Sequence, residues 1–524
     1  MLWDSFGMPD AYRRGGPFGP LAPSLQIAEK FTASVAALVR ETKLANPKAL
    51  VMMYSNGASA VADWRSNCFD LESIAKQGYL DIWVDQTWAG AWNEVGVRKG
   101  DFWNFPMLGW TYQLAYMLVH SAVLGNTKVR HYPLVETFDA WESWDVIHTV
   151  PERLRWGIWA YSHAAVKTPK GLKLPAGSYI SWANQGKRLL SEADVHFLAS
   201  TMNQAILDAH ETKEVFGPTL VYSREAMQWQ MEHAPNRDIK EWIDEQVGSV
   251  IKWPVPVLSS TRLGWLPEVR SDLFILQTPV HLSLEHTNYI SKLIRAGHPL
   301  ALFGSPAGGI DPELMKLAGL DRARVDNPEA KPRVASLGPN TQAVVVNAPE
   351  SFPTRTRSTP SDLEARTRVL YSVEDGPALE LNTNAGREVV LWDPPDFSYE
   401  CCKPLRDVWG GSSAAPAISA GALNSLLSNP EALHDEKVDM SQTMSVGAWR
   451  SQHGCIHLLA ANLEEGLRDD ADMARHTALA IPASWKVTEF NDEWTGRKFP
   501  VQHGAIAVEL GHTQSVLLAA HCGP

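Results

Sequence analysis

The first 215 residues alternate short apolar strands with longer helical stretches. Strands are predicted at 49–54 (ALVMMY), 80–85 (LDIWVD), 129–135 (VRHYPLV) and 177–182 (GSYISW), with helices between them. Strands separated by helices indicate βα units and a parallel sheet. No Gly-rich phosphate turn follows these strands, and each ends in polar and aromatic residues. This pattern favours a (β/α)8-type barrel, whose site lies at the carboxyl ends of its strands, over a doubly wound sheet.

The barrel is expected to be incomplete at its N-terminus. A typical barrel has eight strands, and this region offers four clear ones and a possible fifth at residues 1–6 (MLWDSF). With residue 136 on the second-last strand, the series corresponds to strands four to eight. Either the chain begins partway through a barrel, or the barrel is a reduced one.

Two further domains are predicted after the barrel domain of residues 1–215. Residues 216–435 contain buried-type strands (PTLVYSREA, DLFILQ, PLALFGS) and an intervening helix, which indicates a second α/β domain. Residues 436–524 contain short strands separated by turns, which is typical of a small β-sandwich.

Composition narrows the class of partner. The net charge of −12 argues against nucleic acid or an anionic membrane as a partner. The start has no apolar signal core and no run is long enough to span a bilayer, so the chain is expected to be cytoplasmic. The five cysteines form no CxxC pair, and the adjacent Cys401 and Cys402 look like neither a zinc knuckle nor a disulfide framework, which fits a reducing compartment. The histidines lack metal-ligand spacing. No cofactor or metal is predicted.

Tryptophan is the informative residue type. The chain has 21 tryptophans, and several precede or follow polar residues just after strands. Aromatic faces in a polar cleft suit the C–H faces of a sugar ring, so a carbohydrate substrate is expected. The predicted substrate-binding residues lie at or just after strand ends; they are Trp3, Tyr54, Asn56, Trp88, Trp141, Trp182 and Asn184.

Three strand-end carboxylates are candidates for catalysis. Glu136 follows the best strand and is the first choice for a nucleophile; the alternative is a salt bridge or a helix N-cap. Asp85 is either the partner carboxylate or an acceptor for substrate hydroxyls. Asp4 lies where a fourth strand would deliver its acid, although it is close to the chain start. By strand alternation His131 faces away from Tyr132 and Glu136, which indicates a packed histidine.

The arrangement of a late-strand glutamate, a second α/β domain and a small β domain resembles family-42 β-galactosidases. The segment 278–309 (TPVHLSLEHTNYISKLIRAGHPLALFGSPAGG) is similar to their amidotransferase-like trimerisation domain, with Gly304-Ser305-Pro306 where a true amidotransferase has its cysteine nucleophile. The resemblance implies that Glu136 is the nucleophile and that the protein is a homo-oligomer, with a trimer possible. The Asn-Glu pair of the fourth strand, which would be the acid/base, has no counterpart; Asn93-Glu94 follows the wrong strand.

These features predict a glycosidase that is retaining and β-galactosidase-like. Two alternatives stay open. One is a non-catalytic carbohydrate-binding or assembly protein that lacks one carboxylate, and the other is a polysaccharide lyase with a tyrosine or histidine base.

Overall fold

The computed structural model describes much of the N-terminal half of the chain, a series of strands in the middle, and most of the last 80 residues. The described residues are 22–54, 70–85, 109–139, 144–183, 190–225, 258–271, 273–277, 283–296, 300–303, 322–324, 334–335, 344–345, 355–357, 367–373, 376–384, 387–392, 444–462, 475–511 and 514–520.

The α-helices within these ranges lie before residue 297. They are α1 (Ala22–Ala45), α2 (Leu71–Lys76), α3 (Gly109–Leu124), α4 (Val146–Thr149), α5 (Pro151–Ser162), α6 (Glu192–Glu211) and α7 (Leu284–Ala296). Local capping explains two helix starts. Asp70 accepts a hydrogen bond from the Ser73 backbone at the start of α2, and Ser191 and Asp194 form a capping box at the start of α6.

The strands are distributed along the whole chain. They are β1 (Met52–Tyr54), β2 (Ile82–Asp85), β3 (Arg130–Asp139), β4 (Trp144–Asp145), β5 (Ala165–Thr168), β6 (Gly171–Lys173), β7 (Tyr179–Ala183), β8 (Thr212–Val215), β9 (Pro218–Tyr222), β10 (Ser259–Arg262), β11 (Leu273–Gln277), β12 (Leu300–Phe303), β13 (Arg322–Arg324), β14 (Val334–Ala335), β15 (Val344–Val345), β16 (Arg355–Arg357), β17 (Thr367–Val373), β18 (Gly376–Asn384), β19 (Arg387–Trp392), β20 (Met444–Ser451), β21 (Ile456–Asn462), β22 (Arg475–Ala480), β23 (Glu489–Asp492), β24 (Lys498–Pro500), β25 (Ala505–Leu510) and β26 (Ser515–Ala520).

The first sheet contains the strands predicted for the barrel. β1, β2, β3 and β7 are parallel and lie side by side in chain order, and the short β4 pairs with β3 in the antiparallel sense. A doubly wound sheet would reverse its strand order at a switch point, which this sheet does not do. The sheet is therefore a parallel half-barrel, as the sequence predicts. The strand predicted at residues 1–6 lies outside the described residues.

A nine-stranded sheet follows, in the order β17-β18-β19-β12-β11-β9-β10-β5-β6. Its central strands, from β19 to β5, are parallel, and antiparallel strands flank them on both sides. The β5-β6 hairpin comes from the predicted barrel domain, so this sheet crosses the predicted boundary at residue 215. Helix α3 packs against β5, β9 and β10 of this sheet and against β3 of the half-barrel.

The C-terminal strands share one hydrophobic core. A sheet with the order β24-β23-β26-β21-β20-β8 and a separate β22-β25 pair both contribute buried side chains to it. β25 alternates buried and exposed residues, which is the pattern of a strand with one face on a core. β8 again comes from the predicted barrel domain. Cys455 is disulfide-bonded, which the expectation of a reducing compartment did not anticipate, and its partner lies outside the described residues.

A charged cluster joins α2 to the nine-stranded sheet. Arg224 Nη1 lies 3.1 Å from Glu72 Oε2, and Arg262 Nη2 lies 2.6 Å from Glu72 Oε1. Arg224 also pairs with Asp70 at 2.5 Å. The Glu72 side chain is 1% exposed, so these partners supply the charge that a buried carboxylate requires.

This cluster makes the protein acid-sensitive. Burial alone would raise the pKa of both Asp70 and Glu72. The arginines, together with hydrogen bonds from Ser73 to Asp70 and from Lys76 to Glu72, outweigh burial and lower each pKa below its ordinary value of 3.8 or 4.5. A carboxyl with a lowered folded-state pKa stabilises the fold above its unfolded pKa, and that stabilisation is lost as the pH falls through the folded value. We expect the urea concentration at the unfolding midpoint to decrease as the pH is lowered below about 4.5. In Glu72→Gln this decrease should be less steep. An equal pH slope in wild type and variant would contradict this.

No helix in the described part of the chain is long and apolar enough to span a bilayer.

Candidate active site

The half-barrel sheet has two chemically different faces, which its strand registers define. We call one the inner face and the other the helix face. The inner face carries Tyr54, Val84, Tyr132, Leu134, Glu136, Tyr179 and Ser181. The helix face carries Trp83, Asp85 and His131, next to the His120 ring of α3. Residues paired in a parallel sheet point to the same side, and successive residues of one strand alternate.

Glu136 lies on the inner face, towards the carboxyl end of β3. The last residue of β2 pairs with Pro133, so Glu136 stands beyond that end of β2. Its side chain is fully buried. A β-bulge follows, because Glu136 pairs with Ser181 whereas Phe138 pairs with the next residue along β7. Such bulges are common beside active sites, where they redirect a side chain.

β7 contributes two polar groups to the inner face beside Glu136. The Tyr179 hydroxyl donates a hydrogen bond to the Asp85 backbone carbonyl at 3.2 Å. Burial, and then the negative charges of Asp85 and Glu136, raise the pKa of Tyr179, so the phenol stays protonated. Ser181 Oγ is buried and has no hydrogen-bond partner in the described structure. A buried hydroxyl of this kind is available to an oxygen-rich ligand.

Asp85 does not share the face of Glu136. Its carboxylate Oδ2 lies 2.5 Å from His120 Nδ1 and 3.0 Å from His131 Nε2, on the helix face. The side chain is fully buried. Burial alone would raise the pKa of Asp85, but the charge and hydrogen bonds of the two histidines hold that pKa well below its usual range. The prediction that Asp85 joins Glu136 across a scissile bond therefore has no support in this geometry, because the sheet separates the two carboxylates.

His131 is a packed histidine that faces away from Glu136, as strand alternation predicts. It is 4% exposed, and its Nδ1 lies 3.0 Å from Ser121 Oγ of α3. Burial lowers the pKa of His131 more than its hydrogen bond to Asp85 raises it.

Tyr54 and Trp182 are the predicted substrate-binding residues whose positions are described. Tyr54 is on the inner face and is 52% exposed. Trp182 alternates with Ser181 along β7, so it points to the other side, and its ring packs against Phe138 with 4.8 Å between the ring centroids. The other predicted site residues lie outside the described residues; they are Asp4, Trp3, Asn56, Trp88, Trp141 and Asn184.

Tyr179, Ser181 and His120 were not predicted from the sequence. For Tyr179 and Ser181 a signal existed, because both alternate along the strand that pairs with the Glu136 strand. For His120 there was none, since it belongs to an apolar helix and meets Asp85 only through the packing of that helix on the sheet.

Comparison with known proteins identifies the fold. No family model matches the sequence, and no curated protein matches it. Among solved structures, the β-galactosidase of Rahnella sp. R3 aligns with a TM-score of 0.52 and 10% identity, covering 96% of this chain and 69% of that one. The chain has the fold of a β-galactosidase.

Two more β-galactosidases support this assignment. The enzyme of Bacillus circulans sp. alkalophilus aligns with a TM-score of 0.51, 10% identity and coverage of 94% of this chain and 67% of that one. The enzyme of Marinomonas ef1 aligns with a TM-score of 0.51, 11% identity and the same coverage. The β-galactosidase fold thus spans nearly all of this chain and about two thirds of each β-galactosidase. The resemblance predicted from the sequence is confirmed at the level of the fold.

Proposed function

We propose that the protein is a retaining glycoside hydrolase that acts on β-galactosides, with Glu136 as its nucleophile. The observation that carries the proposal is the position of Glu136: a buried carboxylate on the inner face, at the carboxyl end of a half-barrel strand and beside a bulge. The fold shared with β-galactosidases supports the sugar class.

In the proposed mechanism the Glu136 carboxylate attacks the anomeric carbon, the bond from that carbon to the leaving oxygen breaks, and that oxygen takes a proton from an acid. Water then attacks the anomeric carbon of the glycosyl–enzyme ester and gives its proton to the conjugate base of that acid. The ester bond breaks, which releases the Glu136 carboxylate and a sugar of the original anomeric configuration. Asp85 is unsuited to be the acid, because its carboxylate lies on the helix face. Asp4, outside the described residues, remains the predicted acid.

Three inner-face groups would hold the sugar. Ser181 Oγ lies on the strand that pairs with β3 and supplies a buried hydroxyl without a partner. The Tyr179 hydroxyl and the exposed ring of Tyr54 provide a polar and an apolar contact on the same face. Apolar stacking with hydrogen bonds around it is how sugar rings are generally bound.

The test is hydrolysis of a series of aryl β-glycosides by the purified chain, followed by proton NMR of the first-formed sugar. We expect turnover of the β-galactoside above that of the β-glucoside and the α-galactoside, with the β-anomer formed first. If the α-anomer forms first, the enzyme is inverting, and Glu136 would activate water as a base instead of attacking the sugar. Turnover of no glycoside in the series would contradict the proposal.

A second candidate is sugar binding without turnover. The observation that favours it is that Asp85, the predicted partner carboxylate, lies on the helix face rather than beside Glu136. Saturable galactose binding in calorimetry, with no hydrolysis, would establish it. A lyase, which would need a tyrosine or histidine base, is disfavoured on two grounds. The environment raises the pKa of Tyr179, and His131 lies on the helix face, away from Glu136.

We also propose a homotrimer, on the strength of the predicted resemblance to a trimerisation domain. A molar mass of the whole chain near three times 58.0 kDa in light scattering would support it, and a monomer mass would exclude it.

A further inference from the structure

Three potential metal ligands converge on the helix face, away from Glu136. They come from three separate elements: Asp85 from β2, His120 from α3 and His131 from β3. One ligand atom from each lies within 4.8 Å of the other two. His120 and Asp85 are fully buried, and His131 is 4% exposed.

We propose that Asp85, His120 and His131 form a binding site for one Zn²⁺ ion, or a transition-metal ion of similar preference. Two imidazole nitrogens and one carboxylate oxygen form a common donor set for zinc, whereas calcium and magnesium prefer oxygen ligands. A fully buried carboxylate needs a nearby cation, and both imidazoles direct one nitrogen at the same Asp85 oxygen.

The spacing of the ligand atoms suits an ion after a small adjustment. With metal–ligand bonds of about 2.0–2.2 Å, two ligands of a tetrahedral ion lie roughly 3.3 Å apart. His131 Nε2 is already 3.0 Å from Asp85 Oδ2, and His120 Nδ1 is 2.5 Å from it. Outward movement of the His120 ring by about 1 Å would bring its Nδ1 to the distance from Asp85 Oδ2 that two ligands of one ion require.

The surroundings supply the outer contacts that metal-binding histidines normally have. Ser121 Oγ lies 3.0 Å from His131 Nδ1, so this ring nitrogen can donate to the hydroxyl while Nε2 faces the ion. The Trp83 indole packs edge-on against the His120 ring, with 6.3 Å between centroids, and limits its rotation. With a water molecule as the fourth ligand of the tetrahedral ion, the proposed role is structural: the ion would tie α3 to two strands of the half-barrel.

The experiment uses the untagged full chain, stripped with a chelator and then titrated with Zn²⁺ or Co²⁺. We expect about one equivalent of bound zinc by elemental analysis, a tetrahedral d–d absorption band with Co²⁺, and a rise in Tm of several degrees with zinc. His131→Gln and Asp85→Asn should each lose the band. The matched control is His163→Gln, which removes a buried histidine bound to a single carboxylate, Asp208, and should keep the band.

Each outcome decides the proposal without reference to glycoside hydrolysis. The proposal is overturned if folded wild-type protein retains less than a tenth of an equivalent of zinc and gives no cobalt band. The cluster would then be a hydrogen-bonded network in which two histidines share protons with Asp85. A band that persists in folded His131→Gln would also overturn the proposal. The wild-type measurement decides the proposal without the variants, so the proposal can still be tested if a variant fails to fold.

Discussion

Glu136→Gln is expected to fold normally and to lose turnover of an aryl β-galactoside by about 10⁴-fold or more, which is the order of loss when a catalytic nucleophile is removed. The amide is almost isosteric with the carboxylate, and the side chain is fully buried, so the substitution removes charge without opening a cavity. An amide cannot form the glycosyl ester that the proposed mechanism requires. Initial rates and circular dichroism of the two proteins provide the comparison.

Chemical rescue separates the nucleophile from a residue that merely supports the site. In Glu136→Gly, azide should enter the vacated position, attack the anomeric carbon and yield the α-galactosyl azide with restored turnover. Glu214→Gln is the matched control, because Glu214 is an exposed carboxylate paired with Arg450, and it should retain full activity. Undiminished activity of Glu136→Gln would remove the nucleophile assignment.

Trp449→Ala is expected to destabilise the protein by about 3–5 kcal/mol, the usual cost of deleting a large buried aromatic side chain. Trp449 of β20 is fully buried and joins the C-terminal sheet to α5 and α6. Its ring stacks on His163, with 3.9 Å between centroids, and its Nε1 donates to Asp208 Oδ2 at 2.6 Å. Urea unfolding of wild type and variant measures the difference.

A second substitution divides this effect into its parts. Trp449→Phe keeps an aromatic ring but loses the bond to the Asp208 carboxylate, which is worth about 1.5–3 kcal/mol as a hydrogen bond to a charged group. We therefore expect a cost between wild type and Trp449→Ala. Equal stability of Trp449→Ala and wild type would show that the C-terminal sheet does not depend on this contact.

The sequence predicts the half-barrel well because its signals are local. Apolar strands near residues 52, 82, 130 and 179 are bounded by polar residues and separated by helices, and the structure has all four, parallel and in chain order. Glu136 and His131 were placed on opposite faces by alternation alone. That prediction is confirmed by the partners of His131 on the helix face.

The faces of Asp85 and Trp182 could not be predicted in the same way. Position at a strand end locates an edge of the sheet, but a shift of one residue moves a side chain to the other face. Asp85 falls in phase with Trp83 and His131, and Trp182 falls out of phase with Tyr179. Which phase faces inward depends on where α3 packs, and that is a tertiary property.

Pairing between strands far apart in the chain was the other feature that the sequence could not predict. β5 joins a strand about 94 residues later through the contact of Lys167 with Thr261, and β8 pairs with β20. No local pattern in either short segment indicates such a partner. The disulfide of Cys455 is similar, since the five cysteines show no spacing that pairs them.

Trapping of the glycosyl–enzyme ester determines whether Glu136 is the nucleophile. The purified chain is incubated with an activated 2-fluoro β-galactoside, digested, and the labelled peptide is sequenced by mass spectrometry. We expect one fluorogalactosyl group per chain, attached to Glu136. A label on any other residue would contradict the assignment of Glu136 as nucleophile. So would enzyme that, after prolonged incubation with the reagent, has an unlabelled Glu136 and still turns over an ordinary galactoside.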